Sequence, residues 1–238
     1  MILDALFFGT HPDDIEITCG GTVIKLVQSG KKVGIADLTK GELSTRGSLS
    51  VREKERKNAA KVLGIEKRIV LDLEDGNIEN TAKNRAKLIH LIRKYKPELV
   101  FAPFASDRHP DHINASMLIR ESVFYSGLRK IVTGNQSAYR PRRVVCYRHA
   151  YDIPFSFIFD ISDVFEKKLS AILCYGSQFY NEKSPETKQP ETYISSKLFL
   201  KDIESRARFF GFKIGVEYGE PFFCYEDIKM NAEMIFKV

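Results

Sequence analysis

Short apolar runs alternate with amphipathic stretches along most of this 238-residue chain. The runs "LDALFFG" (3–9), "KKVGIADLT" (31–39), "RIVLDL" (68–73), "ELVFAPF" (98–104) and "RRVVCYR" (142–148) are short and rich in β-branched or aromatic residues. They predict buried strands. Between them, apolar positions recur at helical spacing. They predict a helix led by Gly20-Gly21 and ending at Gly30, a second over 51–63 closed by Gly64, a third over 82–95 stopping before Pro97, and a fourth over about 113–127. Strand–helix–strand alternation with tight turns predicts a mostly parallel sheet covered by helices on both faces, a Rossmann-like three-layer α/β/α sandwich.

The last third is less regular. "SFIFDIS" (156–162) predicts a strand and 163–175 a helix capped by Asp163. The polar stretch 176–195, with Pro185 and Pro190, predicts a long loop of the kind that often carries function. A helix over 196–211 ends at Gly211 and is followed by "VEYGEPFF". No internal repeat, low-complexity tract or composition break divides the chain, so a single domain over 1–238 is expected.

Composition changes this picture little. A hydrophobic fraction of 43% and a charged fraction of 29% suit an ordinary soluble domain with one sizeable core. No apolar run is long enough to span a bilayer. The first residues, "MILDALFFGT", lack a basic leader and carry Asp4, so they read as a strand and not a signal peptide. A cytoplasmic protein with no membrane partner is expected. Cys19, Cys146, Cys174 and Cys224 form no CxxC pair, which argues against zinc-ribbon and thioredoxin-type sites and for free thiols in a reducing compartment. The net charge of +6 admits either nucleic acid or an anionic small substrate. Cations interleave with acids, as in "VREKERKNAAK" (51–61), which is the pattern of a solvated helix face. No nucleic-acid partner is expected.

The candidate chemistry lies in two similar motifs. "GTHPDDIE" (9–16) directly follows the first predicted strand, and "SDRHPDHI" (106–113) lies just past the fourth. In open α/β sheets ligands bind beyond the carboxyl ends of the strands, so both loops should reach the same edge. A lone histidine is more often a packed or surface residue than a ligand. Here His11, His109 and His112 cluster with Asp13, Asp14, Asp107 and Asp111, and packing gives no reason for that repetition. A catalytic zinc takes three protein ligands and keeps one position open. Two imidazoles and one carboxylate satisfy that count and leave enough charge to acidify a water. The proline after His11 restricts the turn that sends both aspartates inwards. One of them can bind metal while its neighbour takes a proton, and His109 and His112 allow a similar division. An iron(II) oxygenase triad is the rival, but it belongs to antiparallel barrels with a single residue between histidine and carboxylate. "CGGT" (19–22) offers a Gly-rich helix start that suits phosphate, and hence a nucleotide-binding alternative, although the G-x-G-x-x-G fingerprint is absent. Cys19 adjoins the first motif without a defined role.

"GTHPDDIEITCGGT" and "DRHPDH" resemble the LmbE-like, or PIG-L, family of zinc-dependent N-acetylglucosamine deacetylases. "KGELSTRGSLSVREKERKNAAKVLGI", "LDLEDGNIENT" and "FGFKIGVEYGEPF" look like the branch that deacetylates N-acetylglucosaminyl malate during bacillithiol synthesis. The resemblance implies the LmbE-like fold and makes His11, Asp14 and His112 ligands of Zn2+, with Fe2+ tolerated by the same set. It makes Asp13 the general base that later protonates the leaving amine. It makes His109, when protonated, the stabiliser of the oxyanion, oriented and charged by Asp111. Guanidinium forks suit the malyl carboxylates. The resemblance suggests Arg52, Arg108 and Tyr193 as substrate contacts, and Arg46 in the "STRG" turn is a further candidate. Related substrates in the same class are chitooligosaccharides and antibiotic precursors. Family members often assemble, hexamers included, so a homo-oligomer is expected. Thr10 stands where the family more often has a small residue such as Ala, and "GEPF" stands where an "AEAF"-like ending is usual, with a changed rim as the expected effect.

Overall fold

Five parallel strands, β1 (Ala5–Gly9), β2 (Val33–Asp37), β3 (Lys67–Val70), β4 (Leu99–Pro103) and β5 (Arg143–Tyr147), dominate the sheet in the computed structural model, which describes residues 1–180 and 190–235. Beyond β5, β7 (Gly219–Cys224) runs antiparallel to both β5 and the edge strand β6 (Phe157–Asp160). The order is β3-β2-β1-β4-β5-β7-β6. This is the expected three-layer α/β architecture, with an antiparallel extension supplied by the "GEPFFC" segment.

Successive side chains of a strand point to opposite faces, and here both faces are covered. Phe7, Ile35, Phe101, Tyr147 and Phe222 pack on one side, beneath α1 (Asp14–Gln28), α5 (Phe165–Ile172) and α6 (Lys197–Lys213). Leu6, Phe8, Ala36, Val100 and Cys146 face the other side, beneath α3 (Ala82–Tyr95) and α4 (Pro110–Ser126). That two-sided burial is why the strands read as continuous apolar runs. The remaining helix, α2 (Leu49–Leu63), packs on α1 and α5, with Ala59, Ile172, Tyr175 and Phe179 in a smaller cluster. Ser48 caps its start, and Gly64 at φ 75° ends it.

The position of the site follows from strand order. β1 pairs with β2 on one side and β4 on the other, with Phe7 in register with Phe101. The chain steps outward to β3, then returns to place β4 beside β1, so the sheet changes direction there. The loops after β1 and β4 emerge side by side at this switch point. Those loops carry the two His-Pro-Asp motifs.

Two helices start earlier than their apolar patterns predict. α4 begins at Pro110 rather than 113, which puts His112 in its first turn. α1 begins at Asp14 rather than Gly20 and is broken at Cys19 (φ −137°, ψ 23°). The break frees the amides of Gly21 and Thr22, which donate to the Glu220 carboxylate at 3.0 and 2.8 Å. Thr22 Oγ1 (2.6 Å) and Lys168 Nζ (2.7 Å) complete its ring of donors. A side chain at Gly21 would lie 2.7 Å from Ile161, so only glycine fits this crossing. The "CGGT" turn is thus filled by a carboxylate of the protein itself, and the amides a nucleotide phosphate needs are occupied. "GEPF" is accordingly interior: Glu220 is buried in β7 and does not form a rim.

Residues 181–189 of the predicted long loop lie outside the described residues. Its end forms a single 3-10 turn over Tyr193–Ser195, closed by a Thr192 capping box. Among the described residues, no helix is long and apolar enough to cross a membrane.

Glu220→Ala should destabilise the protein by about 3–5 kcal/mol, since it strands the buried Lys168 ammonium and two helix amides. Urea unfolding measures this directly. A loss within about 0.5 kcal/mol, the range of ordinary surface changes, would show that the carboxylate does not hold the broken helix.

Candidate metal centre

The turn from β1 into α1 separates two adjacent aspartates. Asp13 has φ 108°, a left-handed backbone that costs energy for any residue but glycine. Arg52, from α2, fixes it there. Its Nη1 lies 3.1 Å from Asp13 Oδ2, and its Nη2 donates to the Pro12 carbonyl at 2.8 Å. The twist turns Asp13 toward Arg52 and leaves Asp14 among histidines.

Potential ligand atoms of His11, Asp14 and His112 lie within 4.8 Å of one another. Asp14 Oδ2 is 3.7 Å from His11 Nδ1 and 3.4 Å from His112 Nε2. The other ring nitrogens are engaged. His11 Nε2 meets Asp75 Oδ1 at 3.0 Å and Asp111 Oδ2 at 3.5 Å, and His112 Nδ1 meets Asp107 Oδ1 at 3.0 Å. Carboxylates on the far nitrogens hold the ring proton there in the neutral tautomers, so His11 Nδ1 and His112 Nε2, beside Asp14, are the nitrogens that can offer a lone pair to a metal once the second proton is displaced. His112 Nε2 is buried and has no hydrogen-bond partner among the described residues. An orphaned buried acceptor beside a carboxylate and a second imidazole fits a divalent ion.

The electrostatics agree. Burial opposes charging of His11, but Asp111 and Asp75 outweigh it and push its pKa up to about 10. Burial likewise opposes charge on His112, yet Asp14 and Asp107 push it up to about 9. The carboxylates therefore favour positive charge at this point of the site. Despite its own burial, Asp14 is held well below the usual carboxylate range by His112 and His149. Asp13 moves the other way: burial pushes it up to about 7, against the pull of Arg52. Two neighbouring carboxyls with opposite shifts are suited to different tasks.

His109 is the N-cap of α4. Its ring lies 4.8 Å from that of His11 and 5.0 Å from that of His112. Its Nδ1 accepts the Asp111 amide proton at 3.2 Å, which leaves a neutral ring with its proton on Nε2. Burial, reinforced by His11 and His112, holds its pKa below the ordinary imidazole value. The Asp111 carboxylate points elsewhere: it accepts from Gly76 at 2.8 Å and Ile78 at 3.4 Å and faces His11. Asp111 therefore meets His109 through its backbone amide, while its charge, counted on from the resemblance, pushes the His109 pKa up against the stronger opposing effects. The first turn of α4 directs the Asp111 side chain across to the loop after β3.

The predicted substrate contacts fall into two groups. Arg108 is exposed and stacks over the half-exposed Tyr193 ring, 4.2 Å from its centroid. Arg46 and Arg52 are buried. Arg46 donates to the carbonyls of Ser177 (2.8 Å) and Pro190 (3.3 Å), tying the flanks of the long loop to the "STRG" turn. Cys19 is fully buried, and burial pushes its thiol well up, so it remains an inert thiol. Thr10 is also buried, its hydroxyl lacking a partner among the described residues and its carbonyl accepting from Thr39.

Two contributors escaped sequence reasoning. His149 Nε2 lies 3.1 Å from Asp14 Oδ1, and the next amide, Ala150, donates to Asp107 Oδ2 at 2.9 Å. Asp75 supports His11 and accepts from Leu43 at 2.9 Å, tying the loop after β2 to the centre. Each lies just past the carboxyl end of a strand, β5 or β3, and that placement was the available signal.

Comparison with known proteins gives a consistent picture. Residues 6–123 match the family model described as PIG-L, GlcNAc-PI de-N-acetylase. A diacetylchitobiose deacetylase of Thermococcus kodakarensis is 34% identical over 71% of this chain and 67% of its own length. A probable N-acetyl-alpha-D-glucosaminyl L-malate deacetylase 2 of Bacillus anthracis is more distant, 26% identical over 71% of this chain and 78% of its own. The crystal structure of a conserved protein from Thermus thermophilus superposes with a TM-score of 0.86 at 33% identity, covering 97% of this chain and 98% of that one.

Asp107→Asn should weaken zinc binding by about 10–100-fold, the usual effect of losing a carboxylate behind a ligating histidine. Competition against a chromophoric chelator reads this without reference to activity. Unchanged affinity would remove Asp107 from the support of the centre.

Proposed function

We propose that this chain, which belongs to the PIG-L (GlcNAc-PI de-N-acetylase) family, removes the acetyl group from an N-acetylglucosamine conjugate by metal-dependent hydrolysis. The observation that carries this reading is the split pair after Pro12. Asp14 sits beside His11 Nδ1 and His112 Nε2, while Asp13 pairs through one oxygen with Arg52 and has its pKa pushed up to about 7. A zinc or iron(II) ion held by His11, Asp14 and His112 would supply Lewis acidity to the acetamide carbonyl and to a water. Asp13 takes the proton from the attacking water and delivers it to the departing amine, a task that suits a pKa near neutrality. Arg52 holds Asp13 in place through its ion pair. In place of the protonated ring the resemblance implies, a neutral His109 donates a hydrogen bond from Nε2–H to the developing oxyanion, with Nδ1 as acceptor.

Within that class, N-acetylglucosaminyl malate is the substrate we favour. The exposed Arg108–Tyr193 stack supplies a guanidinium suited to a carboxylate, and the Bacillus anthracis relative carries that activity in its name. Diacetylchitobiose is the second reading, favoured by the higher identity to the Thermococcus kodakarensis enzyme. Side-by-side kcat/KM values for the two compounds decide between them.

Asp13→Asn should keep its zinc and lose about 10²–10⁴-fold in kcat, the usual contribution of a general base. Metal content by atomic emission, paired with acetate release, measures both. Near-native turnover in this variant would overturn the assignment of the base.

A further inference from the structure

The Asp14 carboxylate has two oxygens, and the fold gives them different neighbours. Oδ2 accepts the His11 amide at 2.8 Å and lies beside His11 Nδ1 and His112 Nε2. Oδ1 meets His149 Nε2 at 3.1 Å. An ionised carboxylate only accepts, so His149 Nε2 carries the proton of that bond. That nitrogen therefore has no lone pair to give a metal, although it lies close to the proposed ligands.

His149 is itself firmly placed just beyond β5. Its carbonyl accepts from Arg148 Nη1 at 3.2 Å and from Arg206 Nη1, on α6, at 3.5 Å. Its ring stands edge-on to that of His112, with 4.2 Å between centroids. The next amide, Ala150, donates to Asp107 Oδ2 at 2.9 Å, and Asp107 Oδ1 meets His112 Nδ1 at 3.0 Å. Two consecutive residues thus brace two of the three proposed ligands, Asp14 directly and His112 through Asp107.

Such bracing matters for a carboxylate because its terminal torsion is broad and roughly two-fold. The His11 amide holds Oδ2 alone and leaves the group free to pivot about that oxygen. A carboxylate that pivots can offer both oxygens to one ion. A catalytic zinc, in contrast, needs one position kept open for water. We propose that His149 is a positioning residue: by holding Asp14 Oδ1 it confines Asp14 to a single metal bond through Oδ2. The position left open is the one the attacking water needs. The inference rests on the metal-dependent deacetylase reading and adds to it the residue that sets the coordination number of the ion.

The test loads the full chain with cobalt(II) in place of zinc and reads its visible absorption, which weakens as coordination number rises. His149→Asn and His149→Gln carry the same amide, but only the glutamine nitrogen reaches the place of Nε2. His149→Asn should show weaker cobalt bands and about a 10–100-fold loss in kcat, the range for residues that orient a ligand. Its zinc affinity, from chelator competition, should stay within about tenfold of native, since no ligand is lost. His149→Gln should recover the bands and most of the turnover, and His149→Ala should repeat the loss. Native bands in both His149→Asn and His149→Ala overturn the role. A zinc affinity lowered as far as in His112→Ala also overturns it, because His149 would then be a ligand. The cobalt spectra need no substrate, so they decide the role of His149 even where no conjugate is turned over, the result that sinks the deacetylase reading instead. A native chain that binds neither cobalt nor zinc removes the metal centre and this role with it.

Discussion

Five buried or nearly buried carboxylates, Asp13, Asp14, Asp75, Asp107 and Asp111, converge at one edge of the sheet, and the repulsion among them must be answered by positive charge. That requirement organises the surrounding structure. Asp75, Asp107 and Asp111 bind the outer nitrogens of His11 and His112, Arg52 answers Asp13, and His149 meets the second oxygen of Asp14. Protons on the two ligand histidines answer part of the charge, and a divalent cation in their place answers it with directed bonds. Removing one member of such a network leaves another charge buried and unpaired, which is far more costly than losing a surface pair.

The scaffold beneath the site is built to the same rule. Arg68, from β3, bonds both oxygens of Asp37 at the end of β2 (2.8 and 2.9 Å) and reaches Glu16 in the first turn of α1 at 2.5 Å. Tyr175 OH adds a bond to Glu16 at 3.1 Å. Buried charges therefore fix the start of α1 against two neighbouring strands. A few residues on, the break at Cys19 frees the rest of the helix to follow the sheet, and Glu220 caps the new start. The first turn of α1 can thus be placed by the site's geometry while the remainder is placed by core packing.

Most of the architecture was legible in the sequence because two-sided burial writes continuous apolar runs, and the helices between them carry their own punctuation, such as Gly64 and Pro97. The starts of α1 and α4 were less legible. Their first turns carry polar residues, Asp14 and His112 among them, that serve the site, so the apolar period begins only later. The repeated His-Pro-Asp pattern marked the centre, because two motifs at strand ends have no packing explanation. His149 and Asp75 each stand alone in sequence, and only strand order brings them in. The direction of the Asp111 carboxylate was invisible for a similar reason: Gly76 and Ile78, which it accepts from, belong to a distant loop. Arg52 shows the limit of composition. It sits in a run that reads as a solvated helix face, yet it is buried against Asp13.

The measurement that bears most directly on this account is acetate release from an N-acetylglucosamine conjugate by the purified chain, before chelation, after it, and after zinc is returned. The account predicts release that chelation abolishes and about one equivalent of zinc per chain restores, the stoichiometry of a single three-ligand site. Release that persists in fully chelated protein would contradict it, because the converging carboxylates and histidines would then serve some purpose other than holding a catalytic metal.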